Sequence, residues 1–174
     1  MDAHFDQVMR AREQAKDGPA CLYFAYSTIL DREAFNEWKA QHGYETFALP
    51  EGELAQASDV ELVFDFPSRW WGGRVAGLAD AKGQSVWGRV FRISPRDWPI
   101  IQHKEGFITH MCVEREVSVM VKGERQTATA FTTRPERQSQ DGAISARFVE
   151  ALVRGAKGAG LPADYVTRLG TYAG

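Results

Sequence analysis

The sequence predicts a mixed α/β fold of the α+β type, with about six strands and flanking helices around one core. Residues 109–121 carry apolar side chains at alternate positions, the pattern of a strand with one buried face. A turn at 122–124 joins this segment to a second strand at 125–132, so the two form a predicted hairpin. Residues 143–157 repeat apolar side chains at helical spacing, which predicts an amphipathic helix that covers the sheet.

The remaining predicted strands lie in the first half of the chain. Residues 21–27 are rich in aromatic side chains and indicate a buried strand. Residues 60–66 alternate between apolar and polar side chains. Two further strands, 75–78 and 86–93, are predicted on either side of a turn at 81–83.

Helices are predicted between and before these strands. Residues 5–17 are polar and rich in good helix formers. Residues 28–31 fit a capping box, and the apolar stripe that follows predicts a helix over 31–41. Pro162 begins a short last helix.

A single carboxylate, Glu105, is the strongest candidate for chemistry. Ser94 and Pro95 predict a helix start, and Gly106 predicts a left-handed cap directly after Glu105. Pro99 predicts that the helix is kinked or shortened. An acid at a helix C-terminus faces the negative end of the helix dipole, which favours a raised pKa and a role in proton transfer. The competing interpretation is an exposed glutamate at an ordinary helix end.

Composition limits the function classes. The chain has 174 residues, 44% hydrophobic and 25% charged, with a net charge of −2, as expected for one globular domain. This charge gives no basis for binding nucleic acid or an anionic membrane, and no apolar run reaches the length of a membrane span. The first residues lack the features of a secretory signal, so we expect a cytoplasmic protein.

The residues that bind metals are scattered. Cys21 and Cys112 each flank an apolar strand-like run and are expected to be reduced, buried thiols. The histidines show no metal-binding spacing: His4, His42, His103 and His110. We therefore expect no metal site and no cofactor.

Four short motifs occur together in a recognisable order. They are the run YFAYSTIL at 23–30, VWG at 86–88, EG at 105–106 and GAGLP at 158–162 followed by Tyr165. This ordered set resembles the gamma-glutamylcyclotransferase-like family and spans roughly residues 21–170. The resemblance implies a mixed β-barrel with flanking helices and one catalytic glutamate, which matches Glu105. It also implies an intramolecular aminolysis that converts a gamma-glutamyl amide into 5-oxoproline and a free amine, without a cofactor.

The chain departs from the family pattern in the loop that grips the glutamyl headgroup. The family has Gly-Ser-Asn where this chain has Ser27, Thr28 and Ile29, so an amide side chain is lost. A family tyrosine falls at Phe131, which lacks the hydroxyl. The catalytic glutamate is retained while the loop that binds the headgroup is altered, a pattern that favours a changed substrate. By resemblance, the substrate-binding residues are Tyr26, Ser27, Thr28, Ile29, Leu30 and Phe131.

Three functions remain open at this point. The first is a gamma-glutamyl cyclotransferase-type enzyme acting on a small gamma-glutamyl substrate, as a monomer or homodimer. The second is a non-catalytic small-molecule-binding or interaction protein on the same barrel. The third is an amide- or ester-cleaving enzyme with a different acyl group. An open pocket with Glu105 at its base favours an enzyme, and a filled pocket favours the binding protein.

Overall fold

Five strands close into a barrel in the order β1-β3-β2-β4-β5. The computed structural model describes residues 3–173. The strands are β1 (Cys21–Ala25), β2 (Glu53–Ser68), β3 (Gly73–Ile93), β4 (Cys112–Val121) and β5 (Glu124–Thr133). The helices are α1 (Ala3–Gln14), α2 (Arg32–His42), α3 (Trp98–Lys104), α4 (Ala146–Gly158) and α5 (Ala163–Gly170). The predicted α+β barrel with flanking helices is confirmed.

The barrel is closed by its single parallel contact. All other neighbouring strands pair antiparallel, whereas β1 and β5 run parallel and pair at Tyr23 and Thr129. The predicted hairpin between β4 and β5 is confirmed, because Val121 pairs with Glu124. Within residues 3–173, no helix combines the length and hydrophobicity needed to cross a membrane.

The predicted number of strands was wrong because β3 is one long strand. The predicted strands 75–78 and 86–93 are continuous, and the predicted turn at 81–83 is a bulge. On β2 the register moves from Ser58, opposite Ser85, to Val60, opposite Asp80. A bulge lets extra residues leave the ladder while the strand continues, so its glycine resembles a turn in sequence.

Two helix starts also differ from the predictions. Asp31 is the N-cap of α2 and accepts a hydrogen bond from the Ala34 N–H at 3.2 Å, whereas residues 28–30 form a separate 3₁₀ turn. Helix α3 begins at Trp98 and is therefore shorter than a helix starting at Ser94, which is one of the two outcomes predicted from Pro99. Pro99 lies in the first turn, where it causes no kink. Ser94 instead accepts hydrogen bonds in the turn before the helix.

The hydrophobic side chains form two cores on either side of β1. The inner core fills the barrel and includes Phe24, Val119 and the buried face of α4, represented by Phe148. The outer core packs α1, α2 and α3 against the barrel, and includes Val8 and Ile101. The cavity described below lies where these two cores meet.

Candidate active site

Helix α3 carries Glu105 to the wall of a cavity. Glu105 is the C-cap of the helix, and its N–H donates to the carbonyl of Ile101 at 2.9 Å. Gly106 follows with φ of +85°, a conformation that favours glycine, so the predicted helix end is confirmed. The buried side chains of Ile100, Ile101 and His103 anchor the helix in the outer core.

The carboxyl group of Glu105 is held by a tyrosine. The Tyr23 hydroxyl donates a hydrogen bond to Oε1 of Glu105 at 2.7 Å. Tyr23 lies on β1 and is only 1% exposed. Burial and the neighbouring Glu105 carboxylate raise the pKa of Tyr23 well above its ordinary value, so the phenol stays protonated and remains a donor. The contact joins residues 82 positions apart and fixes the orientation of the carboxyl group.

The loop between β1 and α2 forms another part of the wall. Tyr26, Ser27 and Thr28 line the cavity, and the Tyr26 hydroxyl donates to the carbonyl of Phe131. The N–H groups of Leu30 and Asp31 donate within the turn, to the carbonyls of Ser27 and Thr28. Within residues 3–173, the N–H groups of residues 27–29 have no protein acceptor. Of these residues Ser27 and Thr28 line the cavity, so their N–H groups are available as donors on this side of it.

Aromatic rings form about half of the remaining wall. The cavity has a volume of about 250 Å³ and is open to solvent. Its aromatic lining comprises Tyr26, Trp38, His42, Phe66, Trp70, Trp71, His103, Phe131 and Phe148. The rings of Trp38 and His42 stack with centroids 4.6 Å apart, and Trp70 lies 6.0 Å from His42. A cavity of this kind suits a small, partly apolar molecule.

The structure brings most of the sequence-predicted site residues together. Glu105 and Phe131 line the same cavity as the residues from Tyr26 to Thr28. Ile29 and Leu30 do not line it: Ile29 is 2% exposed in the outer core, and both border a neighbouring cleft on the α2 side. Their predicted contact with substrate stays a prediction.

Several residues that line the cavity were not predicted from the sequence. Lys104 lies directly before Glu105, and Trp38 and His42 share one face of α2. Of the adjacent tryptophans, Trp71 packs edge-on against Phe148, whereas Trp70 is 37% exposed at the cavity. The i, i+4 spacing of Trp38 and His42 was the available signal, since both had to face one direction.

The thiol in the cavity is poorly suited to nucleophilic chemistry. Burial raises the pKa of Cys112 to about 12, so the thiol is protonated at neutral pH. Cys21 and Cys112 are both free thiols of intermediate exposure. Residues 3–173 contain no group of three His, Cys, Asp or Glu side chains arranged to hold a metal ion.

Comparisons with known proteins agree with the resemblance in the sequence motifs. The AIG2-like family matches residues 85–169, which include Glu105. A gamma-glutamylcyclotransferase from Bos taurus is 26% identical over 162 residues, covering 90% of this chain and 80% of the relative.

Solved structures show the same fold. A gamma-glutamyl cyclotransferase superposes with a TM-score of 0.70 at 24% identity, and 86% of each chain is covered. An uncharacterized protein from Homo sapiens gives a TM-score of 0.71 at 25% identity, with the same coverage. Over most of its length in sequence, and in its barrel, the chain is similar to the gamma-glutamylcyclotransferases.

Proposed function

We propose that this protein is a gamma-glutamyl cyclotransferase-type enzyme in which Glu105 is the general acid and base. One observation carries the proposal: Tyr23 holds the Glu105 carboxyl group on the wall of an open cavity. The same cavity borders the loop whose main-chain N–H groups are available within residues 3–173. An oriented proton carrier and free donors are the two components that this reaction needs.

The chemistry follows from the substrate. A gamma-glutamyl amide carries its own nucleophile, the α-amino group, at the distance that closes a five-membered ring. When the chain is held folded, intramolecular attack on the γ-carbonyl has a high effective molarity. The new C–N bond closes the lactam, the amide C–N bond breaks, and the products are 5-oxoproline and a free amine.

Glu105 would move the proton in both halves of this reaction. Its carboxylate takes a proton from the attacking amino group and returns it to the leaving amine. Tyr23 restricts the carboxyl group to one orientation, which keeps the transferring oxygen in place. The N–H groups of Ser27 and Thr28 would stabilise the oxyanion of the tetrahedral intermediate. The aromatic wall would receive the leaving group, and the composition fits a cytoplasmic location.

A second function, small-molecule binding without catalysis, is favoured by one observation. Ile29 stands where the family has an asparagine, and it is buried in the outer core, so no side-chain amide at this position reaches the cavity. A barrel that keeps its cavity but lacks a side-chain amide for the headgroup would bind a ligand without turning it over. The experiment below separates the two functions.

The test is 5-oxoproline release from a panel of gamma-glutamyl amides, with Glu105→Gln as the matched variant. The glutamine side chain preserves the shape and can still accept the Tyr23 hydrogen bond, but it cannot relay a proton. We expect kcat to fall by roughly 10²- to 10⁴-fold while the melting temperature stays nearly unchanged. Equal turnover by both proteins would remove the enzyme assignment. A parent protein that binds panel members without releasing 5-oxoproline would establish the binding function.

A further inference from the structure

The cavity contains one ammonium group as well as one carboxylate. Apart from the two histidines, Lys104 and Glu105 are the charged residues in its lining. They are consecutive, so the end of α3 presents both charges on one short stretch of backbone. A ligand with one positive and one negative group on the same carbon atom would be complementary to this pair.

The Lys104 ammonium has no acceptor of its own within the described chain. No hydrogen bond or ion pair joins its Nζ to residues 3–173, and its Nζ lies 5.8 Å from the centroid of the Trp38 ring. Burial lowers the pKa of Lys104, and the Glu105 carboxylate opposes that effect only in part. A desolvated cation without a partner costs stability unless a ligand supplies the counter-charge.

Lys39 differs from Lys104 because its ammonium group has a hydrogen-bond acceptor within the protein. Lys39, on α2, donates a hydrogen bond to the carbonyl of Phe47 at 2.7 Å and lies over the Phe35 ring. The ammonium group of Lys39 is therefore already hydrogen-bonded within the protein. Lys104 instead lines the cavity next to Glu105, with its Nζ over the ring of Trp38, another lining residue.

We propose that Lys104 determines specificity by binding the α-carboxylate of the glutamyl headgroup while Glu105 faces the α-amino group. This inference rests on the proposed function and adds the residue that recognises the headgroup. With the carboxylate on Lys104, the N–H groups of Ser27 and Thr28 are left for the γ-carbonyl oxygen. The altered loop then binds only the oxyanion, which it does through main-chain N–H groups. Binding of the headgroup no longer needs a polar side chain at position 29, so the buried Ile29 is compatible with catalysis.

The experiment compares two anilides that differ only in the α-carboxylate. Gamma-glutamyl-4-nitroanilide closes to 5-oxoproline, and 4-aminobutanoyl-4-nitroanilide closes to 2-pyrrolidinone by the same bond changes. Both release 4-nitroaniline, which is measured by its absorbance. The variants are Lys104→Gln, Lys104→Arg as the conservative replacement, and Lys157→Gln, an exposed lysine on α4, as the control.

Lys104→Gln should raise KM for the gamma-glutamyl anilide roughly 10- to 100-fold, the effect of losing a charged hydrogen bond. Its kcat should stay within about threefold, and its activity on the 4-aminobutanoyl anilide should not change. Lys104→Arg should recover part of the lost affinity, and Lys157→Gln should behave as the parent. Equal losses on both anilides, or a loss in kcat alone, would overturn the inference and make Lys104 a structural helix-end residue.

A binding measurement keeps this inference separate from the proposed function. Ligand-observed NMR would follow 5-oxoproline and 2-pyrrolidinone with the parent and Lys104→Gln. If the parent turns over neither anilide but binds 5-oxoproline through Lys104, the enzyme assignment fails and the carboxylate site stands. If turnover depends on Glu105 but 5-oxoproline binds equally well to the parent and to Lys104→Gln, the inference about Lys104 fails and the proposed function stands. If there is neither turnover nor 5-oxoproline binding, both fail.

Discussion

At the scale of single residues, the contact between Tyr23 and Glu105 decides what the site can do. A glutamate at a helix end is common, and its neighbours along the chain do not distinguish it from a solvated surface residue. The tyrosine that orients it lies 82 residues earlier, on the first strand. Sequence patterns report local periodicity, so Glu105 could be selected as the acid while its hydrogen-bond donor could not be assigned.

Replacing Tyr23 with phenylalanine should therefore impair catalysis more than folding. Tyr23→Phe keeps the ring contacts with Trp98 and Phe131 but removes the donor to Glu105. We expect kcat for 5-oxoproline release to fall roughly 10-fold and the free energy of unfolding to fall by about 1 kcal/mol.

The control for that variant is Tyr165→Phe, which removes a buried hydroxyl outside the cavity lining. Steady-state kinetics and urea unfolding of both variants make the comparison. A Tyr23→Phe protein with parental kcat would mean that water orients Glu105 equally well.

At the scale of elements, helix α4 holds the loop that borders the cavity. A Cβ atom at Gly155 would lie 2.7 Å from the backbone nitrogen of Asp31, so glycine is required for this close approach. Arg154 adds an ion pair, its guanidinium 2.7 Å from Asp31. The position of residues 27–31 therefore depends on α4 as well as on the two elements that the loop joins.

Gly155→Ala should destabilise the protein and disturb the loop. The added methyl group has to push α4 away from the backbone at Asp31, at a cost of about 1–3 kcal/mol. Gly158→Ala is the matched control on the same helix, since a Cβ there meets nothing within 4 Å and alanine favours a helix. Thermal unfolding should show a lower melting temperature for the first variant and an equal or higher one for the second. The reverse order would show that α4 does not constrain the loop.

Most elements could be predicted from the sequence, and the exceptions have physical causes. Alternation predicted β4 and β5, and the Gly106 cap predicted the end of α3, because these signals are local. The bulge in β3 was mistaken for a turn, because a glycine with positive φ serves both structures. The lining residues Lys104 and His42 could not be assigned, since only tertiary packing decides which side of a helix faces a cavity. The motifs alone were sufficient to identify Glu105 and the first residues of the loop between β1 and α2.

At the scale of the whole molecule, Lys104 links the site to global stability. Its pKa is lowered in the folded protein, so the unfolded chain binds more protons between the folded pKa and the ordinary value of 10.5. In that interval the free energy of unfolding contributed by Lys104 rises with pH. Below the folded pKa both states are protonated, and the folded state carries the full cost of a partly buried cation.

Lys104→Met should therefore stabilise the protein at pH 7. The expected gain is a higher free energy of unfolding and a higher Tm, because the folded variant no longer carries the cost of this charge. The gain should shrink as the pH rises toward 10.5, because the parent lysine then loses its charge in both states. Urea unfolding of parent and variant between pH 6 and 10 measures this difference. A variant less stable than the parent at pH 7 would show that Lys104 is already paired within the fold.

The parallel contact between β1 and β5 has a consequence for when the proposed active site is assembled. Tyr23, which pairs with Thr129 at this seam, also holds the carboxyl group of Glu105. Pairing these strands closes a loop of more than a hundred residues, and such long-range contacts are slow to form because their entropy cost precedes their gain. A chain that has formed its hairpins but has not yet placed β1 against β3 and β5 has a glutamate without its tyrosine. The proposed catalytic pair is thus assembled only when β1 joins the barrel, after the local hairpins.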